Sequence, residues 1–216
     1  MDPLHLAIAF VPLAGYLLLL GIINLSPRPF VTTGIRDGLA LAIGLSGLVV
    51  VGPLELFLPE RAASTFGPYV WLLLLALYLL TSVLVVLMGR PRLIIYNSTP
   101  TELKPILDRV VKQLDPSSST ADETYVLPQL FVQLHVEAFH SLRNVSLVAI
   151  GPRQSWQGWK KLEGELVAAL KETRGTTNPY GLTLLMFGAV LAGLTTYWLA
   201  NDRQAVAQAL WEMLRL

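Results

Sequence analysis

The chain has 216 residues and a formal net charge of +1; 53% of its residues are hydrophobic, 14% are charged and none is cysteine. With a mean hydropathy of +0.55 this is not the balance of a soluble domain, where roughly a quarter of residues are charged. The apolar fraction excludes disorder, the missing cysteines exclude a disulfide scaffold, and the near-neutral charge argues against a nucleic-acid partner.

Four runs approach the ~20 apolar residues needed to cross a hydrocarbon layer of ~30 Å. The first, 4–25, is interrupted only by His5 and Pro12. A cleavable signal peptide would need a basic start and a shorter apolar stretch, so this run reads as a retained anchor. The second, 38–58, carries Pro53 and Glu55 near its far end, and Pro53 makes a bent or re-entrant segment the competing reading. The third (69–88) and the fourth (181–200) contain no charge. None shows the polar stripe of a soluble helix. Small residues at spacing four, Ala40/Gly44, Gly188/Ala192 and Ala189/Gly193, point to the second and fourth runs as the helix–helix contacts. The Leu- and Val-rich 71–88 suits a lipid-facing place.

Basic residues near helix ends set orientation. Arg28, Arg36, Arg90, Arg92, Lys171 and Arg174 lie on one side of the four crossings; Arg61, Arg203 and Arg215 lie on the other. The expected layout therefore has both termini periplasmic and the long 90–175 segment cytoplasmic, in a bacterial inner membrane. Tyr69, Trp71, Tyr197 and Trp198 fall where an outer aromatic belt would lie.

The insert between the third and fourth crossings begins with a β-rich stretch, 92–97. Thr99 and Glu102 have capping-box spacing around Pro100, although Pro105 offers a later start with Thr101 as cap. Leu103, Ile106, Leu107, Val110, Val111 and Leu114 then mark one face of a helix. The Ser/Thr/Asp stretch to Thr124 reads as a polar loop. Strict alternation over 130–138 predicts a half-buried strand, 145–150 another, and 155–173 a helix with Trp156, Trp159, Leu162 and Leu166 on its core side. The order βαββα resembles a ferredoxin-like, split βαβ unit lacking its last strand. The expected fold class is thus four transmembrane helices with a small α+β domain inserted between helices 3 and 4. The domains are 1–89, 90–175, and 176–216 with a short C-terminal amphipathic helix. That tail reads either as an extension of the fourth crossing or as a helix in the interface.

Chemistry is sparse. His135, Glu137 and His140 form the one cluster resembling metal ligands; a catalytic zinc site normally takes three protein ligands, and a polar sheet face is the preferred reading. Asp37 and Glu55 sit at span ends, as interfacial anchors rather than a proton path. The sequons at Asn97 and Asn144 fall on the cytoplasmic side. No phosphate loop or nucleophile elbow is present, and no cofactor is expected. The reading points away from an enzyme and toward an accessory membrane subunit whose domain binds a protein partner or a second copy. The rival is a small transporter or membrane enzyme with an anion site at Arg28, Arg36, Arg90 and Arg92.

Overall fold

The computed structural model describes residues 3–56, 58, 65–139, 143–173 and 177–214. It divides into two compact units: 1–21, 38–87 and 182–216 form one, and 22–37 with 88–181 form the other.

The first unit is helical. Four helices are long and apolar enough to span a membrane: Pro3–Leu25, Gly34–Leu54, Tyr69–Met88 and Tyr180–Asn201. We number them α1 (Pro3–Leu25), α2 (Gly34–Val49), α3 (Tyr69–Met88) and, after two helices of the other unit, α6 (Tyr180–Asn201). The span begun by α2 runs on through a wider π-helical turn, Val50–Leu54, around Pro53. There the Glu55 amide donates to the Val50 carbonyl five residues back. A π turn lets the ladder absorb the amide that proline lacks, so Pro53 is accommodated within a single span.

Small residues set the approach of these helices. Gly44 lies against the Cβ of Tyr16, and Gly47 against the Ile8 carbonyl, so α1 and α2 nearly touch backbones. Gly38 faces Val86 of α3, and the Tyr78 hydroxyl of α3 donates to the Ala42 carbonyl over 2.7 Å. Gly188 of α6 packs on Leu18 and the Ala14 carbonyl of α1. Gly193, by contrast, has open space beside it. Of the small pairs on α6, the one containing Gly188 meets a helix of this chain, while Ala189/Gly193 faces outward. Trp71, expected in the aromatic belt, is only 7% exposed and packs with Val50 and Val70. Tyr69, Tyr197 and Trp198 are exposed. Asp202 separates α6 from α7 (Arg203–Leu214), and its carboxylate accepts from the Ala205 amide at 3.2 Å. The tail is therefore a helix of its own rather than an extension of α6.

The second unit is built on a six-stranded antiparallel sheet. Its elements are β1 (Phe30–Thr33), β2 (Arg92–Tyr96), α4 (Pro100–Leu114), β3 (Ser119–Ala121), β4 (Thr124–Leu127), β5 (Val132–Phe139), β6 (Asn144–Ala149) and α5 (Trp156–Lys171). The strand order is β1-β2-β6-β5-β4-β3. Two elements depart from the sequence reading. The connection after α1 is not a plain loop, because β1 pairs with β2 from Phe30↔Tyr96 to Thr33↔Leu93. The polar stretch before Thr124 folds into the β3–β4 hairpin, turning at Asp122 with φ +52°; Tyr125 and Leu127 alternate inward from β4.

α4 starts at Thr99 despite Pro105, because both halves of the capping box form: the Glu102 amide donates to Thr99 Oγ1 and the Thr99 amide to Glu102 Oε2. Its stripe of Leu103, Leu107, Val110 and Val111 packs on the sheet beside Trp159, Leu162, Leu166 and Leu170 of α5. Trp156 is the exception. It opens α5 at 68% exposure and lies outside the core to which periodicity assigns it.

Asp115 closes α4 and is fully buried. Its carboxylate accepts from the Ser117 amide and hydroxyl and from the Gln129 amide. Burial pushes this carboxyl up, but the Ser117 hydroxyl and the Gln129 and Ser117 amides outweigh it and hold it below its ordinary 3.8. A group depressed on folding contributes stability that is complete above its unfolded value and fades as pH falls through the folded one. Asp115→Asn is thus expected to cost about 2 kcal/mol near pH 7, where charge-assisted bonds are lost. The variant's melting should also decline less than the wild type's between about pH 5 and pH 2. Thermal unfolding across pH, read by near-ultraviolet circular dichroism, checks both.

Candidate functional site

All four arginines of the anticipated anion site belong to the sheet-bearing unit, but they do not converge. Arg28 precedes β1 at its Phe30–Tyr96 end, while Arg92 opens β2 at the Thr33–Leu93 end. The four residues of β1 lie between, about 13 Å of extended chain. Arg36, in the first turn of α2, donates from Nη1 to Glu163 Oε1 of α5 at 2.8 Å. Its neighbour Asp37 accepts from the Tyr96 hydroxyl at 2.5 Å. The first turn of α2 is therefore held to the sheet through Tyr96 and to α5 through Glu163. Arg28, Arg90 and Arg92 are exposed and have no ion-pair partner among the described residues.

Three buried asparagines tie the segments together. The Asn178 side-chain amide donates to Asn24 Oδ1 at 3.0 Å, and its backbone amide to the Asn24 carbonyl at 3.0 Å. Asn178 Oδ1 then accepts from the Tyr180 amide, capping α6. Asn97, fully buried with φ +60°, donates its side-chain amide to the Ser26 carbonyl. Burial with this bond places Asn97 out of reach of glycosylation, a physical reason independent of orientation.

The metal candidates resolve differently. His135 and Glu137 share one face of β5, opposite Val148 and Ser146, and His135 Nδ1 lies 3.2 Å from Thr124 Oγ1. His140 lies outside the described residues, as do Arg61, Arg174 and Arg215. Among the described residues no three His, Cys, Asp or Glu side chains group as a metal site. Glu55 meets His5, Oε1 to Nε2, at 2.9 Å, joining the beginning of α1 to the end of the α2 span.

Sequence reasoning missed one surface feature. Phe131, just before β5, holds φ +50° and is 59% exposed; its carbonyl accepts from the Ser155 amide at 2.9 Å. Two exposed aromatics, Phe131 and Trp156, thus stand at one junction. A positive φ at a bulky residue is uncommon and carries backbone strain. The run 151–161 beside them carries Arg153, Lys160 and Lys161, all exposed, and no acid. Beneath it, Gln154 braces the junction: Oε1 accepts from Trp159 Nε1 at 2.8 Å and Nε2 donates to the Gln133 carbonyl at 3.0 Å.

Comparison with models of known protein families, with curated proteins and with solved structures finds no match to this chain.

Proposed function

We propose that this chain is a non-enzymatic, multi-pass subunit of a bacterial inner membrane, whose α+β unit is cytoplasmic and binds a protein partner or a second copy. One observation carries the reading: Phe131 and Trp156 stand outside the core, brought to one junction by the Ser155–Phe131 backbone hydrogen bond, with Arg153 and Lys160 near Trp156 in the chain. Exposed aromatic anchors with a basic rim are typical of association hot spots, whereas a catalytic site needs a concave cluster of convergent polar groups. The excess of Arg and Lys on the side of 90–175 supports the orientation, with both termini periplasmic. The neighbours β2, β6 and β5, reached along the path β2-α4-β3-β4-β5-β6-α5, support a ferredoxin-like reading of the 90–175 insert, with the β3–β4 hairpin added at the β5 edge. In that reading β1 stands beside β2 as the strand the insert itself lacks.

The rival reading, a transporter or membrane enzyme with one four-arginine anion site, is weakened because Glu163 neutralises Arg36 and β1 parts Arg28 from Arg92.

The test is purification in mild detergent with sizing by light scattering. The expected result is a complex or a dimer in the wild type that Trp156→Ala and Phe131→Ala each weaken at least tenfold, hot-spot truncations costing about 2 kcal/mol. A strictly monomeric, partner-free wild type would overturn the proposal.

A further inference from the structure

We infer that Arg90 and Arg92 form a clamp for the phosphate of an anionic phospholipid headgroup. Three features lead there. Pro91, between the two arginines, accepts the Ala149 amide at 2.8 Å, which holds the stretch against β6. In an extended chain residues two apart leave the same side, their Cα atoms about 7 Å apart, a span suited to a phosphodiester. Neither guanidinium has a carboxylate partner among the described residues, so the pair presents two uncompensated charges.

The second feature is depth. Arg90 follows the last residue of α3, an uncharged apolar helix of 20 residues, by two positions. An apolar helix of that length spans the hydrocarbon layer, so its immediate flank lies at headgroup level, where basic groups meet anionic lipid.

The third is that the arrangement is built. The Arg92 stem runs directly over Gly34, the first residue of α2: a methyl added there would collide with Arg92 Cγ and Nε. Only a residue without a side chain lets Arg92 take this course. Arg36, two residues on, stays out of the clamp because Glu163 holds it. A soluble anion would call for an enclosed pocket, but Arg90 and Arg92 are exposed.

The experiment uses the full chain in nanodiscs of phosphatidylcholine with phosphatidylglycerol, counting the anionic lipid that survives extraction by native mass spectrometry. Each basic group near an anionic surface is worth roughly fivefold in binding, so Arg90→Gln with Arg92→Gln should lose about 25-fold in retention. Lysine at both positions should restore most of it. Gly34→Ala should lower retention while leaving the fold intact, because a flexible side chain gives way. Arg28→Gln, at the other end of β1, should cost no more than the roughly fivefold share of a single surface charge. Near-ultraviolet circular dichroism monitors folding in every variant. Undiminished retention in the glutamine pair, at wild-type folding, overturns the inference. So does equal displacement of the lipid by millimolar inorganic phosphate, which would make this a free-anion site.

Discussion

Gly47→Leu is expected to break the α1–α2 pair, whereas Gly193→Leu on α6 should leave the helical unit unchanged. Gly47 is buried with its Cα turned on the Ile8 carbonyl; an added Cβ would fall inside the oxygen's contact radius and 2.8 Å from the carbonyl carbon. That neighbour is helix backbone, which has no rotamer to give way. In lipid no hydrophobic force holds helices together, so association rests on close packing, and a separated pair loses it outright. Overpacking of this kind costs about 3 kcal/mol. The open cleft of about 390 Å³ beside the crossing, lined by Ile8, Val11, Pro12 and Val50, does not relieve it, because the Cβ points at backbone rather than into the cleft. Gly193 has no atom within 4 Å of where a Cβ would lie. Thermal unfolding of the two variants in one detergent should therefore differ sharply. Equal melting of both would show that the α1–α2 approach is not what holds the unit.

How much of this was legible beforehand depends on the range of the interaction. The four spans were, since an apolar run of twenty residues reports its own environment residue by residue. The start of α4 was legible as one of two, because Pro105 left Thr101 open as a cap until the reciprocal Thr99–Glu102 bonds decided for Thr99. Strand β1 was not. Phe30–Thr33 is four residues between Pro29 and a helix, and nothing local decides between coil and strand. Its partner, β2, lies some sixty residues on, beyond α2 and α3, and supplies the hydrogen bonds that make it a strand. The β3–β4 hairpin was missed as well: the serines and threonines ahead of Tyr125 and Leu127 read as loop and mask the pairing.

The candidate sites divide along the same line. The clustering of arginines at span ends is a property of the chain and could be read directly. Which of them are free could not, since the Arg36–Glu163 pair joins residues 127 positions apart. Trp156 failed for another reason. Three residues before Trp159 it lies on the same helical stripe, yet it is the first residue of α5, and the stripe there has run past the packed part of the sheet. Periodicity gives the face of a helix but not how far the surface beneath it extends.

A second glycine pair sets the same physics in the sheet-bearing unit. α5 contains Gly158 and Gly164, and helix propensity alone favours replacing either with alanine by up to about 1 kcal/mol. At Gly164 nothing lies within 4 Å, so Gly164→Ala should stabilise by that order. At Gly158 an added Cβ meets the Leu130 carbonyl oxygen well inside contact distance and Val132 Cγ2 at 2.7 Å. The obstacle is again backbone, and it is pinned: Phe131 accepts the Ser155 amide, and Gln154 binds the Gln133 and Ile150 carbonyls. Either α5 lifts off β5, uncovering Leu162 and Leu166, or the start of β5 must unpair. Gly158→Val should therefore cost about 3 kcal/mol or more, opposite in sign to Gly164→Ala further along the same helix. Unfolding of the two variants, followed by the fluorescence change as buried Trp159 meets water, measures the difference. If both substitutions stabilise, the α5–β5 contact does not hold the unit together.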